Sequence, residues 1–189
     1  MASIGFFDIE TTGLKPQYHR FLTTAIARNL EPDPWLVVNL EDSEREALIT
    51  ARDWLESLDR VVSWAGNSFD IPFMNYRLAV WREPRLNIQD RHFDLKAWAK
   101  RFDPYGLMRL PERWQHGLEA HCKFAGIPTK DTPFDTEVWD QAAHGSIEAM
   151  IAVANHNVED VISLRALYDK MYEPVDERKR QMDIFSATL

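Results

Sequence analysis

Three short stretches place acids where acids are costly, and their spacing suggests shared chemistry. The first is Phe6-Phe7-Asp8-Ile9-Glu10-Thr11-Thr12-Gly13-Leu14. Ile4 to Ile9 reads as a short apolar run, hence a buried strand, which Thr-Thr-Gly ends as a turn. Side chains two apart on a strand share a face, so Asp8 and Glu10 point the same way. Two acids on one face of a buried strand cost several kcal/mol unless a partner offsets them. A strand end lying in water would remove the difficulty, and so would a divalent cation with oxygen ligands.

The second stretch is Asn67-Ser68-Phe69-Asp70-Ile71-Pro72-Phe73, where a strand gives way to a helix. Asp70 there suits a ligand at the end of a sheet. Taken alone, it suits better an N-cap for a helix with Pro72 in its first turn. The third is His156-Asn157-Val158-Glu159-Asp160. His156 and Asp160 are four apart and stack on one helix face. Ala152, Val153, Val161, Leu164 and Leu167 put apolar positions around them, whereas Glu159 fits a solvated face.

These stretches need elements to position them. Beyond the opening strand, Phe21 to Arg28 and Trp35 to Leu40 read as strands paired hairpin-fashion across Glu31-Pro32-Asp33-Pro34. Asp42-Ser43 precedes a helical pattern of Ala47, Leu48, Ala51, Trp54, Leu55 and Leu58. Arg60 to Ala65 is a fourth strand, and Ile71 to Trp81 a helix. Ile88 to Phe93 is extended, with Asp94 capping a helix over Leu95 to Arg101. Residues 103 to 111 read as loop. Further helices are expected over Glu112 to Ala125, closed by Gly126, over Phe134 to Ala143, and over Ile147 to Met171. Strands come first and helices dominate later, so the expected class is α/β, a mixed sheet flanked by helices.

With 189 residues, one domain with a real core is the natural expectation. The single cysteine, Cys122, excludes an internal disulfide and fits a reducing, cytoplasmic setting. The longest uninterrupted apolar run, Ala149 to Ala154, is too short to span a bilayer, and no secretory signal opens the chain. A net charge of −8 argues against coating nucleic acid by bulk attraction. It does not exclude an enzyme acting on nucleic acid, since bound cations reverse a local acidic field.

Taken in order, Asp-x-Glu on a first strand, Asp after an Asn-x-Phe run and His-x-x-x-Asp on a late helix resemble the DEDD superfamily of 3′–5′ exonucleases. That superfamily has a ribonuclease H-like fold. The likeness is to the proofreading exonuclease domains of family B DNA polymerases and their stand-alone relatives. Phe7 to Leu14 matches the first motif, Asn67 to Pro72 the second, and Asn157 with Asp160-Val161 the third. His92-Phe93-Asp94-Leu95 and the helix near Leu118-Glu119 also look like features of the stand-alone relatives. The resemblance covers residues 3 to 172, giving an expected exonuclease domain over 1–173 and a tail over 174–189.

By that resemblance, Asp8, Glu10, Asp70 and Asp160 would hold two Mg²⁺ or Mn²⁺ ions. Asp8 would bridge both, Glu10 and Asp160 would serve the first and Asp70 the second. The chain departs from the family at His156: its spacing, four before Asp160, follows the tyrosine branch, and its residue type follows the histidine branch. The expectation is that His156 orients or deprotonates the attacking water, as catalytic partner of the four acids. Thr11, Thr12, Leu14, Asn67 and Phe73 would hold the terminal nucleotide, with a core role for Phe73 equally open. None of the seven tryptophans is singled out by spacing. In the tail, Gln181-Met182-Asp183-Ile184-Phe185 resembles the peptide by which bacterial replication and repair proteins bind the sliding clamp. Gln181, Ile184 and Phe185 would make that contact, against the alternative of a chance pentapeptide.

The resulting expectation is a two-metal 3′–5′ exonuclease releasing nucleoside monophosphates from single-stranded ends, DNA ahead of RNA. Its rivals are an exoribonuclease and an inactive nucleic-acid-binding module of the same fold. A phosphatase with an Asp nucleophile usually wants Asp-x-Asp, which Glu10 does not supply.

Overall fold

The computed structural model describes residues 2–40, 43–102, 117–129 and 135–171. Strand β1 (Ile4–Thr11) is central, with an apolar side chain toward each layer: Phe6 and Phe7 are both fully buried, on opposite faces. It pairs antiparallel with β2 (Phe21–Arg28), which pairs antiparallel with β3 (Trp35–Val38). On its other side β1 runs parallel to β4 (Arg60–Ser63), and β4 parallel to β5 (His92–Asp94). The sheet order is therefore β3-β2-β1-β4-β5, the mixed sheet of the expected α/β class.

Two helical layers cover this sheet. Phe7 and Ile9 face one core with α1 (Glu44–Glu56) and α2 (Asp70–Val80), through Ala47, Leu48, Ala51, Leu55, Met74 and Leu78. Phe6 faces the other, with α4 (Leu118–Ala125) and the 25-residue α6 (Ile147–Met171), through Cys122, Val161, Leu164, Leu167 and Tyr168. Between β5 and α4 lies α3 (Leu95–Phe102), and α5 (Thr136–Ala143) packs on α6 through Trp139, Ala142 and Met150. Because strand faces alternate, Asp8 and Glu10 fall on the Phe6 side, beneath α6.

Most expected elements form, and the differences have local causes. β3 stops at Val38, because Asn39 turns inward: its N–H donates to Leu22 O at 2.7 Å and its Nδ2 to Phe21 O at 2.7 Å. Of the helix expected over 112–125, residues 112–116 lie outside the described residues, and α4 starts at Leu118 with Gly117, its backbone extended, as N-cap. Glycine is a poor helix-interior residue and an acceptable N-cap, which fits that position. Gly126, at φ 67°, closes α4 in the left-handed conformation that glycine adopts without penalty. α5 begins at Thr136 with Asp135 as its cap, the Glu137 N–H donating to Asp135 Oδ1 at 2.9 Å. The tail with Gln181, Ile184 and Phe185, the Asp42 position and the 103–111 loop lie outside the described residues.

Candidate active site

The register of β1 against β2 shifts between Glu10 and Thr11, so the strand bulges just past its second acid. Bulges re-aim side chains and end pairing. On the opposite edge, pairing with β4 ends at Phe6↔Val62, and Ile9 lies beyond it. Its N–H is taken by Asp70 Oδ1 at 3.3 Å, reaching over from the first residue of α2. The capping reading of Asp70 is thereby corrected: Phe69 is the N-cap and makes no side-chain cap bond, while the Asp70 carboxylate turns to the strand between Asp8 and Glu10. Burial pushes the Asp70 carboxyl up to about 7, Asp94 adding to the shift and the Ile9 N–H opposing it.

The loop carrying Asp70 is fastened from β5. Asp94 accepts the Ala65 N–H at 3.2 Å, the Asn67 N–H at 3.1 Å and the Ala97 N–H at 3.0 Å. It caps α3 as expected, and with the same carboxylate it holds Ala65 at its unfavourable positive φ of 72°. His92 bridges Ser63 Oγ (2.8 Å from Nε2) and Asn67 Oδ1 (3.1 Å from Nδ1). Ser63 Oγ accepts the Gly66 N–H at 2.9 Å, and a Cβ on Gly66 would lie 2.1 Å from that oxygen. Only glycine leaves room for this closure.

Helix α6 supplies the far wall. Asn157, fully buried, donates from Nδ2 to Asp8 Oδ2 at 2.8 Å and accepts from Thr23 Oγ1 at 3.1 Å. One residue earlier, His156 Nε2 lies 3.8 Å from Glu10 Oε1 and 3.7 Å from Asp160 Oδ2. Glu10, His156 and Asp160 each offer a ligand atom within 4.8 Å of the others, a group able to hold a metal ion. Trp139 of α5 completes this corner: its Nε1–H donates to Glu10 Oε2 at 3.0 Å, and its ring stands edge-on to His156, centroids 4.9 Å apart. Two oxygens and an imidazole nitrogen suit a first-row divalent cation, and a buried Asp70 held off its ordinary ionisation suits the same neighbour. The donor set fits the ions the family resemblance implies.

All five expected catalytic residues thus gather around the end of β1, Glu10 with His156 and Asp160 most closely, Asp8 through Asn157, and Asp70 through the Ile9 amide. The expected nucleotide contacts divide. Leu14, 79% exposed, and Asn67 are open to solvent, and Thr12 Oγ1 accepts the Arg20 N–H at 2.9 Å within the β1–β2 turn. Thr11 is buried, with Oγ1 donating to Gly13 O at 2.9 Å, which makes it a turn former. Phe73 is corrected outright: at 1% exposure it sits in the α1–α2 core beside Phe69 and offers no face to a base. Tyr18, 78% exposed in the same turn as Leu14, was not found from sequence. Nor were Trp139, Thr23 and Asp94's loop contacts; the Trp-Glu10 and Thr23-Asn157 pairs join residues 129 and 134 apart. The lone thiol plays no part, since burial, with Asp160 and Glu119 adding, pushes Cys122 up to about 12. A cavity of about 410 Å³, lined by Arg20, Leu22, Asn39 and Met150 among others, contains none of the site acids.

Comparison with known proteins places this geometry. A family model described as RNase_H superfamily matches residues 5–172. Among solved structures, the family B DNA polymerase from the hyperthermophilic archaeon Pyrobaculum calidifontis is similar, with a TM-score of 0.64 and 16% identity. The match covers 89% of this chain and 24% of that one, so the chain spans about a quarter of the polymerase's length. At that identity the likeness is one of fold. No curated protein matches the sequence. With a family model spanning nearly its whole length, the chain belongs to the RNase_H superfamily.

Proposed function

We propose that the chain is a divalent-metal-dependent 3′–5′ exonuclease of the DEDD type, acting on single-stranded ends, DNA ahead of RNA. The observation that carries this reading is the meeting of Asp8, Glu10, Asp70, His156 and Asp160 at the bulged end of one strand. Asp8 accepts from the Asn157 amide, Glu10 from the Trp139 indole and Asp70 from the Ile9 N–H, so three elements aim their polar groups at one strand end. Each such bond orients a carboxylate, as the outer contacts of metal ligands do.

When bound, two divalent ions would lower the pKa of an attacking water and offset charge on the departing oxygen. Asp8, Glu10, Asp70 and Asp160 would hold them. Asn157 fixes the Asp8 carboxylate, Trp139 that of Glu10, and the Ile9 amide that of Asp70. Leu14, with Tyr18 on the same turn, offers apolar surface on which a terminal base can stack, worth about 1–3 kcal/mol per base. Asn67, its amide oxygen engaged by His92, has its NH₂ for a sugar or phosphate oxygen. A local cationic field at this site reconciles the net charge of −8 with a polyanionic substrate.

The test is digestion of 3′- and 5′-labelled DNA and RNA single strands with Mg²⁺, Mn²⁺ or chelator, alongside Asp8→Ala. Stepwise shortening from the 3′ end, abolished by chelator and by Asp8→Ala, is expected. Metal-independent cleavage, or an active Asp8→Ala, overturns the reading; faster loss of RNA turns it to an exoribonuclease. Metal-dependent strand binding without cleavage leaves the inactive binding module instead. The Gln181, Ile184 and Phe185 peptide is proposed, from sequence, to dock on a bacterial sliding clamp, Ile184 and Phe185 filling an apolar pocket. Equal recovery of wild type and Phe185→Ala with the clamp removes that part. The setting is expected to be cytoplasmic; among the described residues no helix is long and apolar enough to cross a membrane.

A further inference from the structure

We propose that His156 is itself a ligand of the ion held by Glu10 and Asp160, and that this position therefore favours Mn²⁺ and similar first-row ions over Mg²⁺. The inference rests on the proposed reading only for the presence of a cation there. It replaces the expectation that His156 orients or deprotonates the attacking water: a lone pair engaged by a cation cannot accept a proton.

Distances put His156 Nε2 within reach of a cation shared with both carboxylates. A hydrogen bond from an imidazole N–H to a carboxylate closes to about 2.7–3.2 Å. His156 Nε2 stands 3.8 Å from Glu10 Oε1 and 3.7 Å from Asp160 Oδ2, too far for a direct bond to either and nearly equal to both. Donors about 2.1–2.2 Å from one ion lie about 3.5 Å apart at a tetrahedral angle and about 3.0 Å apart at a right angle. The observed gaps lie within a few tenths of an ångström of the tetrahedral spacing and under an ångström above the right-angle spacing, so small side-chain movements bring the three donors around one cation. His156 Nε2 lies at the junction of the two carboxylates.

The surroundings hold that arrangement. The imidazole side chain is only 7% exposed, and Trp139 stands edge-on to it while bonding Glu10 Oε2. One side chain thus fixes two of the three donors and turns Glu10 Oε1 toward the histidine. His156 and Asp160, four apart on α6, are set by the helix itself. An all-oxygen site suits Mg²⁺, whereas an imidazole donor shifts preference toward Mn²⁺, Co²⁺ or Zn²⁺.

Mn²⁺ bound at one equivalent to the full chain, without nucleic acid, answers this by pulsed EPR. Nitrogen modulation is expected on the Mn²⁺ signal, changed by ¹⁵N-histidine and lost in His156→Gln. By calorimetry His156→Gln should lower Mn²⁺ affinity at least tenfold and Mg²⁺ affinity less than threefold, about the loss expected for one altered ligand. Bound Mn²⁺ with no nitrogen modulation, or modulation that survives in His156→Gln, overturns the proposal. If that variant does not fold, wild type with and without ¹⁵N-histidine still decides, because a water-activating base would leave the modulation absent. None of these readouts needs nuclease activity, so their failure is distinct from failure of the proposed reaction.

Discussion

Replacing Asp70 with asparagine should make the metal-free protein more stable, and the gain should depend on pH in a fixed sense. The Asp70 carboxyl is buried and pushed up to about 7, against 3.8 for an exposed aspartate. Below pH 3.8 it is protonated in both folded and unfolded chains and costs nothing. As pH rises toward 7 the unfolded chain releases the proton while the folded one keeps it, so stability falls throughout that window. The loss reaches about 4 kcal/mol above pH 7, at about 1.4 kcal/mol per pH unit. Asparagine never ionises and keeps an oxygen for the Ile9 N–H, at a cost of about 1 kcal/mol for an amide NH₂ without an acceptor. At pH 8 in chelator, Asp70→Asn should therefore melt roughly 6–12 °C above wild type, at about 2–4 °C per kcal/mol for a chain of this size. The margin should shrink steadily toward pH 4, and Mn²⁺ should raise the wild-type midpoint more than the variant's. Differential scanning calorimetry from pH 4 to 8 reads this directly. A variant equal to or below wild type at pH 8, or a difference that ignores pH, refutes the burial argument.

Three further substitutions probe the site's supports. Asn157→Leu removes the bond to Asp8 and strands Thr23; about 1–3 kcal/mol of stability should be lost by urea denaturation, with a roughly 10–100-fold fall in Mn²⁺ affinity. Trp139→Phe keeps the ring beside His156 and loses only the bond to Glu10, so it should fold within about 1 kcal/mol of wild type while metal affinity falls roughly tenfold. Glu44 is a buried hub, bonded to the Phe21 N–H, Arg77 and Trp81, with Arg77 reaching on to Pro16 O in the Leu14–Tyr18 turn. Glu44→Ala leaves Arg77 unpaired and should cost about 3–5 kcal/mol in chemical denaturation, with Mn²⁺ affinity of the folded fraction unchanged.

What could be read beforehand follows from the range over which sequence patterns act. The two-residue spacing of Asp8 and Glu10 and the four-residue spacing of His156 and Asp160 are intra-element rules, and both place their pairs correctly. Strands β1 to β4 and the Gly126 stop are legible for the same reason, each being encoded within a few residues. In the stretch read as extended over Ile88 to Phe93, by contrast, residues 89–91 turn and β5 starts only at His92. Asp70 reads as a cap because capping too is local, whereas its carboxylate goes to a strand 61 residues away. Asn157 to Asp8, Trp139 to Glu10 and Asp94 to the Asn67 loop cross between elements, where periodicity carries no information. Phe73 shows the opposite limit: its apolar character fits a core and a stacking surface alike, and only packing separates them. Glu44 looks like an ordinary first-turn acid, and its burial follows from Phe21, Arg77 and Trp81 reaching it across 23, 33 and 37 residues.

The central claim is that these carboxylates form one metal site, and counting ions tests it most directly. Mn²⁺ binding to the full chain, measured by calorimetry in saturating nucleoside 5′-monophosphate, should give two ions per chain. Asp8→Ala should lower that count or weaken both ions together. Fewer than one ion per wild-type chain, or a count and affinity that Asp8→Ala leaves untouched, contradicts the account.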